Sequence, residues 1–200
     1  MRNFIGAALF ILVSIFHLPV KAQTATNGYE ITASTDYKNA KLYLGSYYGK
    51  RKILVDSAIA NTKGIAIFKG NSKLQQGIYF LVSPEKVILF EMLMDSSQHF
   101  SVFSDSTKPA DIKFTGSPDN DVFAGYTVFL SKISPELNAL QERLKTAKTS
   151  ADSAIIEKEI SKKAAELTNY RNNVMTNQPN SVLATLLQVA KFLNGRSQRF

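Results

Sequence analysis

From Tyr29 to Gly116 apolar side chains tend to alternate with polar ones, and beyond Pro118 they recur instead at steps of three and four. The first pattern puts successive side chains on opposite faces of a strand, and the second traces one stripe along a helix. Leu42 with Leu44, Ile53 with Val55, Ile65 with Ile67 and Phe100 with Val102 show the alternation of half-buried strands. Gly77 to Val82, Val87 to Met94 and Ile112 to Thr115 add apolar runs of strand length. Turn chemistry separates them at Tyr48-Gly49-Lys50, Asn61-Thr62-Lys63-Gly64, Gly70-Asn71-Ser72 and Ser83-Pro84-Glu85, where Gly and Asn tolerate positive φ and Pro stops pairing. About eight strands at this spacing, with no helical pattern among them, predict an antiparallel β-sandwich or barrel.

The texture changes at Gly116-Ser117-Pro118-Asp119. Val122, Tyr126, Phe129, Ile133, Leu137, Leu140 and Leu144 then form one apolar stripe. Pro135 lies inside it and predicts either a kink or a fresh helix capped by Ser134, because proline lacks a donor and clashes with the preceding turn. Thr149 and Asp152 stand at capping-box spacing for a second helix that turns Ile156, Ile160, Ala164, Leu167 and Val174 inward and ends before Pro179. Asn180 or Ser181 caps a third helix with Val182, Leu183, Leu186, Leu187, Ala190 and Leu193 on its apolar side and a stop at Asn194-Gly195. The fold class expected is therefore α+β: a β domain over residues 23–117, then a helical extension over 118–200 made of an antiparallel hairpin and a third helix. The stripes are expected to pack on one another and on the sheet; the sharper alternative is that the hairpin docks a partner helix or a second copy of itself.

The amino terminus reads as an export signal over residues 1–22. Arg2 precedes an apolar run from Phe4 to Phe16, and Val20-Lys21-Ala22 offers the small residues that a signal peptidase reads, so cleavage leaves Gln23 at the front. His17 and Pro19 close the run short of the roughly 20 apolar residues a membrane span needs. The expected location is the periplasm or cell envelope.

Charge adds little. Loss of Arg2 and Lys21 leaves 22 basic against 16 acidic side chains, an excess of six, with 11 basic and 8 acidic on each side of Ser117/Pro118. Such an even spread argues against a nucleic-acid footprint, which concentrates Lys and Arg on one face. The one tight cluster, Lys50-Arg51-Lys52, reads as a solvated hairpin end. The absence of cysteine removes disulfides, thiolate zinc sites, iron–sulfur clusters and cysteine nucleophiles.

No arrangement of residues amounts to a catalytic motif, so no catalytic, cofactor-binding or metal-binding residue is assigned and no cofactor is expected. His99 is the single imidazole after residue 22, in Ser97-Gln98-His99-Phe100 without a nucleophile-elbow pattern, and one histidine cannot build a multi-histidine metal site. Gly45-Ser46-Tyr47-Tyr48-Gly49-Lys50 has three residues between its glycines where a phosphate loop needs four, and Arg51 stands where that loop needs Ser or Thr. Glu91 with Asp95 is the nearest approach to a carboxylate pair, and Asp56-Ser57 reads as ordinary strand. Tyr43, Tyr47 and Tyr48 are candidate aromatic contacts for a protein partner, and the alternative is that they pack within the sheet.

Several short segments carry a family resemblance: Val55-Asp56-Ser57-Ala58, Lys63 to Gly70, Gly77-Ile78-Tyr79-Phe80 and Phe114-Thr115-Gly116-Ser117-Pro118. Together they resemble the β-rich domain of unknown function that precedes thioredoxin-like (redoxin, AhpC/TSA-type) domains in exported proteins of Bacteroidetes. Ile133-Ser134-Pro135-Glu136-Leu137 and Gln178-Pro179-Asn180-Ser181 resemble the helical connector of those proteins. The resemblance implies a place beside a Cys-x-x-Cys redoxin fold, yet this sequence has no cysteine and so no dithiol to exchange with a substrate. It implies a non-enzymatic accessory module that positions a redoxin domain or engages its client; the alternative is a free-standing envelope binding or assembly protein that uses its helical hairpin.

Overall fold

The computed structural model describes residues 28–108 and 111–197, with side chains described as far as Leu193; the expected export signal lies outside these residues. Eight strands precede three helices: β1 (Tyr29–Ser34), β2 (Lys41–Tyr48), β3 (Arg51–Ile59), β4 (Ile65–Gly70), β5 (Gly77–Val82), β6 (Ile88–Met94), β7 (His99–Phe103), β8 (Lys113–Thr115), α1 (Pro118–Lys145), α2 (Ser150–Asn177) and α3 (Val182–Ser197). The fold is α+β, with two four-stranded sheets in the orders β4-β1-β7-β8 and β3-β2-β5-β6. No barrel closes.

The expectation of a wholly antiparallel arrangement needs one correction, because β1 and β7 pair in parallel, Ile31 opposite Phe100 and Ala33 opposite Val102. The reason is connectivity. Between β4 and β7 the chain crosses to the other sheet to build β5 and β6, so β7 arrives as a returning strand rather than as the arm of a hairpin on β1.

The inner faces of both sheets merge in one apolar cluster. Ile31, Phe68, Phe100 and Val102 come from the first sheet, and Leu42, Leu44, Leu81, Phe90 and Met92 from the second. The Tyr29 hydroxyl bridges the two by donating to Asp56 Oδ2 at 2.7 Å, and burial together with that carboxylate pushes the phenol well above its usual range. In β4 the isoleucine alternation falls on the outer face: Ala66 and Phe68 take the core opposite Ala33 and Ile31, and Ile65 and Ile67 face out, Ile67 being 54% exposed. In β3 the alternation of Ile53 and Val55 is broken by a bulge, since Leu44 pairs with Asp56 while Gly45 pairs with Leu54, and Ile53 ends up exposed on this edge strand.

The helices cover part of the outer face of the second sheet. Leu93 of β6 points away from the inter-sheet cluster into a second one with Phe123 and Tyr126 of α1, Val174 of α2, and Leu183 and Leu187 of α3. α1 and α2 run antiparallel as expected, with Arg143 against Glu159 at 3.2 Å and Glu136 against Lys163 at 2.5 Å across the pair. α1 passes through Pro135 without a break, so no fresh helix starts at Ser134. Pro135 and Ser131, whose carbonyl loses its helical donor, both lie on the exposed side, so the loss falls where the backbone is open to solvent rather than in the core. Thr149 caps α2 by accepting from the Asp152 amide at 3.0 Å, and Ser181 caps α3 by accepting from the Ala184 amide at 3.0 Å. Ala164 and Ala190 are exposed rather than inward, Leu193 is 58% exposed, and α3 continues past Asn194-Gly195 to Ser197.

Candidate functional site

The helix layer roofs only part of the second sheet, and two surfaces result. One is the sheet face left open; the other is a cleft within the roof.

The open face belongs mainly to β2, β3 and β5. Cross-strand pairing places Tyr43 beside Val82, Gly45 between Leu54 and Phe80, and Tyr47 beside Lys52. Gly45 is required here by close approach, since a Cβ at that position would lie 2.2 Å from the Phe80 ring. Phe80 therefore lies flat over the strand, and Tyr47 packs against it with ring centroids 4.9 Å apart. A shallow hollow of about 230 Å3 sits among Gly45, Leu54, Phe80 and Val82, rimmed by Tyr43, Lys52 and Lys86. The Lys86 ammonium lies 3.2 Å from the Tyr43 ring centroid and lowers that phenol's pKa, while Lys52 approaches the Tyr47 ring at 6.0 Å. Lys86 is one of the few non-glycine residues at positive φ (66°), which swings it out of the β5–β6 turn toward Tyr43. The Tyr47 hydroxyl donates to Glu91 at 2.5 Å, and this bond pushes the phenol up to about 12.

The cleft lies where the three helices meet β5. Ile78, Phe123, Leu183 and Leu187 line its inner part, and Thr168, Arg171 and Lys191 its outer part, around a volume of about 420 Å3. Arg171 Nε donates to the Tyr126 hydroxyl at 2.9 Å, so a nearly buried phenol fixes the guanidinium.

The residues considered as catalytic candidates in the sequence are not brought together. His99 opens β7 on the outer face of the first sheet, opposite Glu30; its Nε2 is buried without a hydrogen-bond partner among the described residues, and no hydrogen bond joins it to a serine or carboxylate. Glu91 is engaged by Tyr47, whereas Asp95 accepts from the Ser97 amide at 2.6 Å in the turn beyond β6, where burial raises its carboxyl pKa. Asp56 serves the bridge to Tyr29, and Gly49-Lys50 forms the β2–β3 turn from which Arg51 leads into β3. Of the three tyrosines, Tyr43 and Tyr47 lie on the open face, and Tyr48 stands at the end of β2, 70% exposed.

Two buried amides went unnoticed in the sequence. Asn120 accepts from the Leu93 amide at 2.7 Å and donates to the Leu93 carbonyl at 2.9 Å, satisfying the free edge of β6 from the first turn of α1. Gln98 accepts from the Leu74 amide at 2.7 Å and donates to the Leu74 carbonyl at 2.8 Å, tying down the loop before β5. The signal for Asn120 was its place one turn into a helix that follows a strand so closely; nothing local marks Gln98.

No curated protein matches this chain. Among solved structures, the crystal structure of (S)-allantoin synthase is similar over 46% of this chain and 44% of its own, at 11% identity and a TM-score of 0.33. This chain thus spans less than half the length of that protein, and a likeness so low carries no argument about fold or activity. The two sheets and the start of α1 do carry a family signature: residues 29–123 match the domain of unknown function DUF4369.

Proposed function

We propose that this protein is an exported, non-catalytic accessory module that binds protein, equivalent to the amino-terminal half of a cell-envelope thiol-disulfide oxidoreductase, with its sheets forming a β-sandwich that positions a redoxin domain or engages its client. The observation that carries this reading is the open half of the second sheet. Tyr43 and Tyr47 stand on β2, Lys86 reaches over Tyr43 from the β5–β6 turn, and tyrosine recurs at binding hot spots. The lack of cysteine, the absence of a hydrogen bond from His99 to a serine or carboxylate among the described residues, and the separate engagement of Glu91 and Asp95 support the same reading.

The test has two parts. Intact mass of the protein recovered from the envelope is expected to begin at Gln23, and a cytoplasmic protein retaining Met1 would overturn export. Binding to a purified envelope thioredoxin-like protein, followed by titration calorimetry, is expected to weaken on Tyr43→Ala and Lys86→Ala with unchanged folding. Equal binding by wild type and variants would remove the open face from the reading.

A second reading, a free-standing assembly protein, is favoured by the hairpin itself. α1 and α2 each have 28 residues, about 42 Å of helix. Their buried residues next to the sheet lie near the start of α1 and the end of α2, so the far ends project with only each other for support.

A further inference from the structure

The cleft in the helix layer has a polarity of its own. α2 and α3 run antiparallel from the turn at Gln178 to Ser181, so Met175 and Leu183 mark its inner end and Thr168 and Lys191 its outer end. The inner end is apolar, with Ile78 of β5 and Phe123 of α1 as floor. The outer end carries two cations, Arg171 and Lys191, and the lining contains no carboxylate. Arg171 is held in place by its 2.9 Å bond to the Tyr126 hydroxyl, which uses Nε and leaves the two terminal nitrogens of the guanidinium unengaged by that bond. The volume, about 420 Å3, falls within the range of pockets that enclose small molecules, roughly 300–1,000 Å3.

An apolar inner end and a cationic mouth fit a particular chemistry. We propose that the cleft binds a single-chain amphiphile with a carboxylate head, a fatty acid, whose tail lies against Ile78, Phe123 and Leu187 while its head pairs with Arg171 and Lys191. Charge complementarity selects the head, since two cations without a neighbouring acid favour an anion, and a planar guanidinium matches a carboxylate with two parallel bonds. Apolar burial supplies the affinity for the tail. This site is separate from the open sheet face and does not depend on the protein-binding role proposed for it.

The test is titration calorimetry of the exported protein with dodecanoate, kept below its micelle concentration, alongside methyl dodecanoate and dodecyltrimethylammonium. One dodecanoate per chain is expected, with the ester bound about tenfold more weakly and the cation not at all. Ala190→Phe, at an exposed position on the cleft wall, is expected to abolish binding while leaving the melting temperature intact. Arg171→Met with Lys191→Met is expected to reduce dodecanoate affinity to that of the ester. Absence of binding, equal affinity for acid and ester, or binding undiminished by Ala190→Phe would each overturn the proposal. So would a concentration-dependent dimer abolished by Ala190→Phe in a protein that takes up no dodecanoate, since a second copy would then be the occupant.

Discussion

The two apolar interfaces of this molecule are built differently. Between the sheets, Ile31, Leu44, Leu81 and Met92 are fully buried, and the main polar contact in their midst is the bridge from Tyr29 to Asp56. Between the second sheet and the helices, the apolar cluster is smaller, has a cleft beside it, and is fixed at its edge by Asn120 to Leu93 and by Asp119, which accepts from the Val182 amide at 3.0 Å. The first interface is specified by volume and the second by hydrogen bonds. A volume-specified core tolerates no loss of packing, whereas a bond-specified seam can leave space next to itself and still have one register.

That contrast can be broken at graded cost. Leu81→Ala empties space in the inter-sheet cluster and is expected to lower stability by about 2–5 kcal/mol, read as a fall in the urea midpoint with the slope retained. Asn120→Ala removes little volume but orphans both backbone groups of Leu93, which costs about 1–3 kcal/mol. Its signature is local: the Leu93 amide should exchange hydrogen faster while that of Leu81 keeps its protection. Exchange rising equally in both would show that the two interfaces form one cooperative unit. Thr149→Ala, at a cap remote from both, is expected to cost about 1 kcal/mol, seen in a thermal melt.

The smallest effect is a sharpening by pH. Tyr47 has a raised pKa in the folded protein because its proton is held by Glu91, so this bond stabilises the fold fully below the ordinary phenol value of about 10 and is lost as pH rises through about 12. Following phenolate absorbance, Tyr47 should ionise late, and Glu91→Gln should bring it forward without disturbing the inter-sheet core.

Much of this was legible because strands and helices impose different periods on the chain. Leu42 with Leu44 and Phe100 with Val102 are buried in the phase their alternation suggests, and every position of the α1 stripe from Val122 to Leu144 is buried or half-buried. Ile65 and Ile67 obey the same period yet face out, because alternation marks two faces without saying which is the core, and Phe68 is the larger neighbour to bury. The parallel pairing of β1 with β7 was illegible, since their partnership spans some seventy residues and no turn records it. The open face was half legible: Tyr43 and Tyr47 were noted, but Lys86 reaches Tyr43 only through the β5–β6 turn, and the bulge opposite Gly45 that sets Leu54 beside the hollow is a cross-strand event. The cleft needed residues from three helices and a strand, a combination that no single periodicity reveals.

The placement of β1 has a consequence for the order in which the molecule is made. Its neighbours on either side, β4 and β7, are synthesised later, the second of them only when residue 103 has been added. A chain emerging from its amino terminus therefore carries its first strand without a partner until β4 is complete at Gly70, and with one edge open until β7 follows, which delays completion of the inter-sheet core. The first strand made is thus an inner one of its sheet, and that sheet cannot be completed before the second sheet has been synthesised.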